Sequence, residues 1–220
     1  SLGVRLIDKT RSPKPDSWEN ADVLLDIVDV YRNYNVTSAN SVSGYTALSQ
    51  SQVEQSAGKY ACAVSAMLEV CSFYVQTGGI SGLSGDYDNL WGKSGTVASG
   101  DSNGIVYGTT PTANICAAVS AYCSEKGRSI GTSYLESALW SRYAATIDSG
   151  NMAIFSARLE ANPSSGHSMA VVGYATISNK SNALDAMNTL MLLDGWNVGI
   201  RMLNYETSHY GWYNGSFFSK

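Results

Sequence analysis

Charged side chains are scarce in this 220-residue chain: they make up 15% of it, against about a quarter in an average globular protein. The small excess is acidic, with a formal net charge of −4. Lys and Arg form no cluster, so the basic footprint of a nucleic-acid-binding protein is missing. Long hydrophobic runs are absent too; the apolar stretches are short and interrupted, which excludes a helical membrane span. Histidine occurs only twice. The four cysteines, at positions 62, 71, 116 and 123, lack the paired spacing of a zinc site, and no metal is expected. Cys116 and Cys123 fall on one helical stretch about 10 Å apart along its axis, beyond the roughly 7 Å a disulfide can bridge. A cross-pair such as Cys71 with Cys116 stays open, but reduced thiols fit the spacing better. With so few charges and much Gly, Ser, Asn and Tyr, the surface reads as that of a secreted or cell-surface bacterial protein. A chain starting at Ser1 fits a mature form whose signal peptide has been removed.

What is present is enough apolar residue, 44%, for one full core or for two small lobes sharing a cleft. A polar arm runs through Pro13 and Pro15. Asp16 or Ser17 caps an expected helix carrying Leu24, Leu25, Ile27, Val28 and Tyr31. Positions 33–52 read as loop. The spacing of Val64, Met67, Leu68, Cys71 and Val75 predicts a strong helix over 61–75. The glycine-rich segment 78–108 reads as an irregular connection, with a helical turn at 87–91. A second helix is expected over 112–126, closed by Gly127, and a shorter one over 133–143. Beyond Gly150 the texture changes to strands, at 152–159, 168–177, 189–193, 201–205 and 215–218. Helices first and an antiparallel sheet second make an α+β protein. It reads as a single domain over 1–220, mainly helical to 145 and mainly β over 146–220.

Chemistry gathers at three places. Cys62 begins the helix over 61–75, where unpaired amides and the positive end of the helix dipole favour a thiolate. His167 opens the strand Ser168-Met169-Ala170-Val171-Val172-Gly173-Tyr174, where a rigid backbone would hold an imidazole of near-neutral pKa. The strand Thr189-Leu190-Met191-Leu192-Leu193 ends in Asp194-Gly195-Trp196-Asn197. Antiparallel pairing of those two strands would bring Asp194 beside His167. A carboxylate there orients an imidazole and stabilises its protonated form. Trp196 could cover the pair, and Asn197 is an alternative orienting residue. Cys71, Cys116 and Cys123 read as packed hydrophobes, and His209 as a surface or structural residue. Tyr210, Trp212, Tyr213, Phe217 and Phe218 read as closing a sheet in preference to lining a groove, while Tyr87 and Trp91 are candidates to border the cleft.

A cysteine leading a helix, then a histidine strand ending Val-Gly-Tyr, then a strand closing in Asp-Gly-Trp, resembles the papain-like cysteine peptidases. Asp194 stands where many members carry Asn; Asp in that role is familiar among bacterial members, including the bacteriocin-leader peptidases. The resemblance implies a two-lobed fold and hydrolysis of peptide bonds in a peptide or protein substrate. Cys62 would be the nucleophile, His167 the general base and acid, and Asp194 the orienting group, with Trp196 in support and no cofactor. A glutamine ahead of the cysteine would complete the oxyanion hole; Gln55 is the nearer match and Gln52 the alternative. The same Cys–His chemistry serves cell-wall amidases and transglutaminase-type acyltransferases. A papain-like domain kept only as a binding module is the non-enzymatic reading.

Overall fold

A computed structural model describes residues 3–4, 15–164 and 166–220. The arm expected through Pro13 therefore lies outside the described residues. Seven α-helices and twelve strands follow in the order β1 (Gly3–Val4), α1 (Pro15–Glu19), β2 (Leu24–Leu25), α2 (Ile27–Asn33), β3 (Tyr34–Ser41), α3 (Gln50–Ala57), β4 (Lys59–Tyr60), α4 (Cys62–Tyr74), α5 (Gly79–Lys93), β5 (Val97–Ser102), β6 (Ile105–Pro111), α6 (Ile115–Glu125), β7 (Gly131–Glu136), α7 (Trp140–Asp148), β8 (Ala153–Leu159), β9 (Gly166–Asn179), β10 (Ala186–Leu193), β11 (Ile200–Asn204) and β12 (Tyr210–Ser219). The protein is α+β, with one large antiparallel sheet. Among the described residues no helix is long and apolar enough to cross a membrane.

The large sheet has eight strands in the order β2-β11-β10-β9-β8-β12-β7, with β3 also on β9. The long β9 organises it. One edge carries β10, and the other carries β8 along Gly166 to Val171 and β3 along Gly173 to Asn179. Both faces of β9 are buried, which is why its sequence is apolar without alternation. Ala170 and Val172 face the cluster built around α4, while Met169 and Val171 face a second cluster with Phe155 and Tyr143. Helix α4 is itself buried almost all round, as a helix apolar on every side must be. It lies between β9, α5 and α6. A smaller sheet joins β1, β6, β4 and β5.

Several expectations give way. The single helix over 16–31 is broken at Asp22, whose φ is 55°, and β2 inserts between α1 and α2. The side chain of Asp26, not Asp16 or Ser17, caps the second piece. The expected loop over 33–52 holds β3, whose exposed residues gave no alternation to read, and the start of α3. A capping box of Ser49 with Gln52 opens α3. The irregular segment 78–108 contains α5 and a hairpin. Buried Leu83, Tyr87 and Leu90 recur at helical spacing in α5, and their burial outweighs glycine's cost of about 1 kcal/mol per interior position. The hairpin turns at Asn103-Gly104, both at positive φ, a sequence suited to a tight two-residue turn. Gly108 is needed for close approach: a Cβ there would lie 2.3 Å from the Trp91 ring. In place of a helix over 133–143 stand β7, paired with β12, and α7. Three strands from before residue 145, β2, β3 and β7, enter the large sheet, so the sheet crosses the expected division of the chain. The four cysteines are free and buried. It is Cys71 and Cys123 whose thiols lie together, not Cys71 and Cys116.

Candidate active site

Cys62 is the first residue of α4, and the backbone just before it is clamped. Ala61 N–H donates to Tyr87 Oη at 2.8 Å, and the Tyr87 hydroxyl donates to Ala61 O at 2.8 Å. Ala61 O also accepts from Val64 and Ser65, closing the first turn of the helix. Cys62 is 2% exposed, and the backbone amides of Ser168, Ala63 and Cys62 itself lie close enough to favour its thiolate. Burial pushes it up to about 12, against the pull of those amides. Loss of hydration outweighs the helix terminus here.

His167 pairs across from Ala157 on β8. Alternation along β9 puts it with Met169 and Val171, on the face away from α4. Its ring stacks on Trp196, with centroids 3.9 Å apart and planes at 5°, and meets Trp18 edge-on at 6.1 Å. Nε2 lies 2.5 Å from the backbone O of Asp194. A carbonyl only accepts, so this contact assigns the proton of the neutral ring to Nε2 and leaves the Nδ1 lone pair free. Nδ1 is buried without a hydrogen-bond partner. Burial pushes the imidazole down to about 3, opposed by the Asp194 carbonyl.

Antiparallel pairing of β9 with β10 does carry Asp194 to His167, as the two apolar runs predict. The contact differs from expectation. The backbone carbonyl, not the carboxylate, holds the ring. Oδ1 accepts instead from Trp196 N–H and Asn197 N–H, each at 2.9 Å. Beyond the strand end those amides have no ladder partner, and the nearest carboxylate satisfies them. Gly195, at φ 74°, makes the turn. Oδ2 lies 3.6 Å from the Arg201 guanidinium, which also pairs with Glu19 at 2.6 Å. Burial raises the Asp194 carboxyl, against the two amides and Arg201.

Cys62 meets the histidine strand through the Ser168 amide. Strand N–H groups lie in the plane of the sheet, so the thiol sits at the rim of β9, near where β10 ends opposite Ala170. Among the described residues no hydrogen bond joins Cys62 to His167. Gln55 stands exposed on α3 and likewise makes no hydrogen bond to Cys62. Gln52 is occupied by the capping box. Asn197 is exposed and bound through its backbone. His209 ends a short 3-10 turn. Tyr210, Phe217 and Phe218 are buried in the cores.

Three residues joined to this site carried no readable sign. Tyr60 donates across it to Gly195 O at 3.1 Å, tying the cysteine's strand to the Asp194 turn. Trp18 and Arg201 come from distant elements that only the sheet order brings near. Tyr87, expected at a cleft border, instead clamps Ala61 from inside the core. Compared with models of known protein families and with curated proteins, the chain matches none.

Proposed function

We propose that the chain is a cysteine peptidase of papain-like, two-lobed architecture, with Cys62 as nucleophile and His167 as base. One observation carries the reading: the thiol heads a helix and lies against the Ser168 amide, next to a histidine whose Nε2–H is held by a carbonyl and whose Nδ1 is free. In this reaction Nδ1 takes the Cys62 proton and the thiolate attacks the amide carbon of the substrate. The oxyanion is received by backbone N–H groups at the start of α4, with Gln55 as the candidate side-chain donor. The imidazolium then protonates the leaving amine. Water, deprotonated by the same nitrogen, hydrolyses the thioester and restores the thiol. Asp194 presents the carbonyl that keeps Nε2 protonated, and Trp196 keeps water from that contact.

A second reading has one observation in its favour. The thiol is buried, pushed up and unbonded to His167, as a domain kept only for binding would have it. Competitive labelling with iodoacetamide at neutral pH separates the two. A peptidase labels at Cys62 well ahead of Cys71, Cys116 and Cys123, and the excess disappears in His167→Ala. Equal labelling of all four thiols defeats the catalytic reading. Assays of peptidoglycan fragments and an amine acceptor beside casein then decide between peptidase and the amidase or acyltransferase variants.

A further inference from the structure

We propose that α1 is a lid over His167, seated by Trp18 and fastened by the Glu19–Arg201 ion pair, and that the site opens when α1 swings away; this deepens the reading of Cys62 and His167 as a catalytic pair and rests on it. Helix α1 has five residues, too few to stand on hydrogen bonds of its own. Of residues 16–19 only Trp18 is buried, with no exposed surface. Its ring covers the edge of His167 and reaches Tyr210, at 6.5 Å between centroids. Among the ties of the lid are the Trp18 ring and the Glu19–Arg201 ion pair, with Trp18 O accepting from Val23 N–H at 3.2 Å.

The closed compartment is poorly satisfied. Trp18 Nε1, His167 Nδ1 and Asp194 Oδ2 are all buried without a hydrogen bond. Buried polar atoms are paired in the great majority of native sites, and each orphan destabilises the state that contains it. Asp194 Oδ2 has the Arg201 guanidinium beside it; the two left over, one on the lid and one on the ring it packs against, handicap the closed form, and water entering beneath a raised lid would satisfy both. The latch joins the lid to the chemistry: Arg201 grips Glu19 on α1 while facing Asp194, whose carbonyl holds the imidazole. Glu19 and Arg201 also line a cavity of about 530 Å³ shared with Asp22, Asp26 and Asp29. Glu19 is thus half exposed and shares its cavity with like carboxylates, which weakens its hold, while the Arg201 side chain stays largely buried.

The test reads exposure of His167 directly, by its rate of acylation with diethyl pyrocarbonate, using His209 in the same molecule as the standard. Glu19→Gln, which leaves Trp18 and Arg201 in place, should speed His167 acylation relative to His209 by about fivefold, the loss expected of one partly exposed ion pair. Trp18→Ala should speed it by tenfold or more, with circular dichroism and the thermal midpoint confirming that the variant is folded. A Glu19→Gln rate equal to that of the parent overturns the proposal whatever Trp18→Ala does. The readout needs no turnover. Fast acylation in both variants with no peptide hydrolysis would support the lid and count against the peptidase reading.

Discussion

Cys62 and His167 are buried to nearly the same degree, yet their surroundings are of opposite kinds. The cysteine is ringed by backbone donors at a helix start and a strand rim. The histidine is packed between two indole rings, with one carbonyl to hold it. Donors favour a thiolate, and burial away from water disfavours an imidazolium. Burial outweighs the donors, so both groups are held neutral. The contrast teaches that donors at a helix start do not by themselves make a thiolate of a thiol removed from water.

Stability against pH is the strongest way to break this comparison, because the two groups act at opposite ends. His167 titrates at about 3 instead of its ordinary 6.5, so between those values the unfolded chain binds a proton that the native chain does not. Its contribution is present above pH 6.5 and falls as pH drops through it, by up to about 1.4 kcal/mol per pH unit. Cys62 titrates at about 12 instead of 9.0. There the native chain keeps a proton that the unfolded chain loses, and the contribution falls as pH rises above 9.0, with the same limiting slope. Urea unfolding should show the acid loss reduced in His167→Gln and the alkaline loss reduced in Cys62→Ala. Curves that stay parallel to the parent's over both ranges would mean that neither group is buried in solution.

A smaller effect sharpens the role of the Asp194 turn. Asp194→Ala removes the acceptor of two amides and should cost about 1–2 kcal/mol. Both variants keep the backbone carbonyl, but Asp194→Asn also keeps a side-chain acceptor for the two amides, so its stability and its Cys62 labelling rate should fall less than those of Asp194→Ala. Equal loss of labelling in the two would restore the carboxylate as the group that orients the ring. The smallest expected effect is that of Tyr60→Phe, which deletes the bond to Gly195 O between the two halves of the site. Thermal or urea unfolding should show a loss of about 1 kcal/mol, and an unchanged midpoint would show that the halves are joined by packing alone.

The parts of this fold that could be read from residues are those whose burial is complete. The all-apolar runs of β9 and β10 and the apolar surface of α4 leave little choice of structure. Their antiparallel pairing then fixes Asp194 beside His167. Elements with mixed signals resisted. Helix α5 carries glycines that its buried Leu83, Tyr87 and Leu90 override. Strand β3 is exposed almost throughout and exists because β9 offers it an edge. The stretch over 16–31 has helical apolar spacing, but Leu24 and Leu25 find better burial against β11.

Sequence alone determined which residues could do chemistry: one cysteine at a helix start, one histidine at the mouth of a buried strand, and an acidic turn at the end of its neighbour. It did so because helix and strand periods are local properties of the chain. Only the tertiary structure decided how those groups are held. That Asp194 meets His167 through its carbonyl, that the thiol meets the Ser168 amide, that Trp18 packs against the histidine and that Arg201 pairs with Asp194 all depend on contacts between residues far apart in the chain. Local periodicity carries no record of such contacts, since which buried polar group takes which partner is settled by packing.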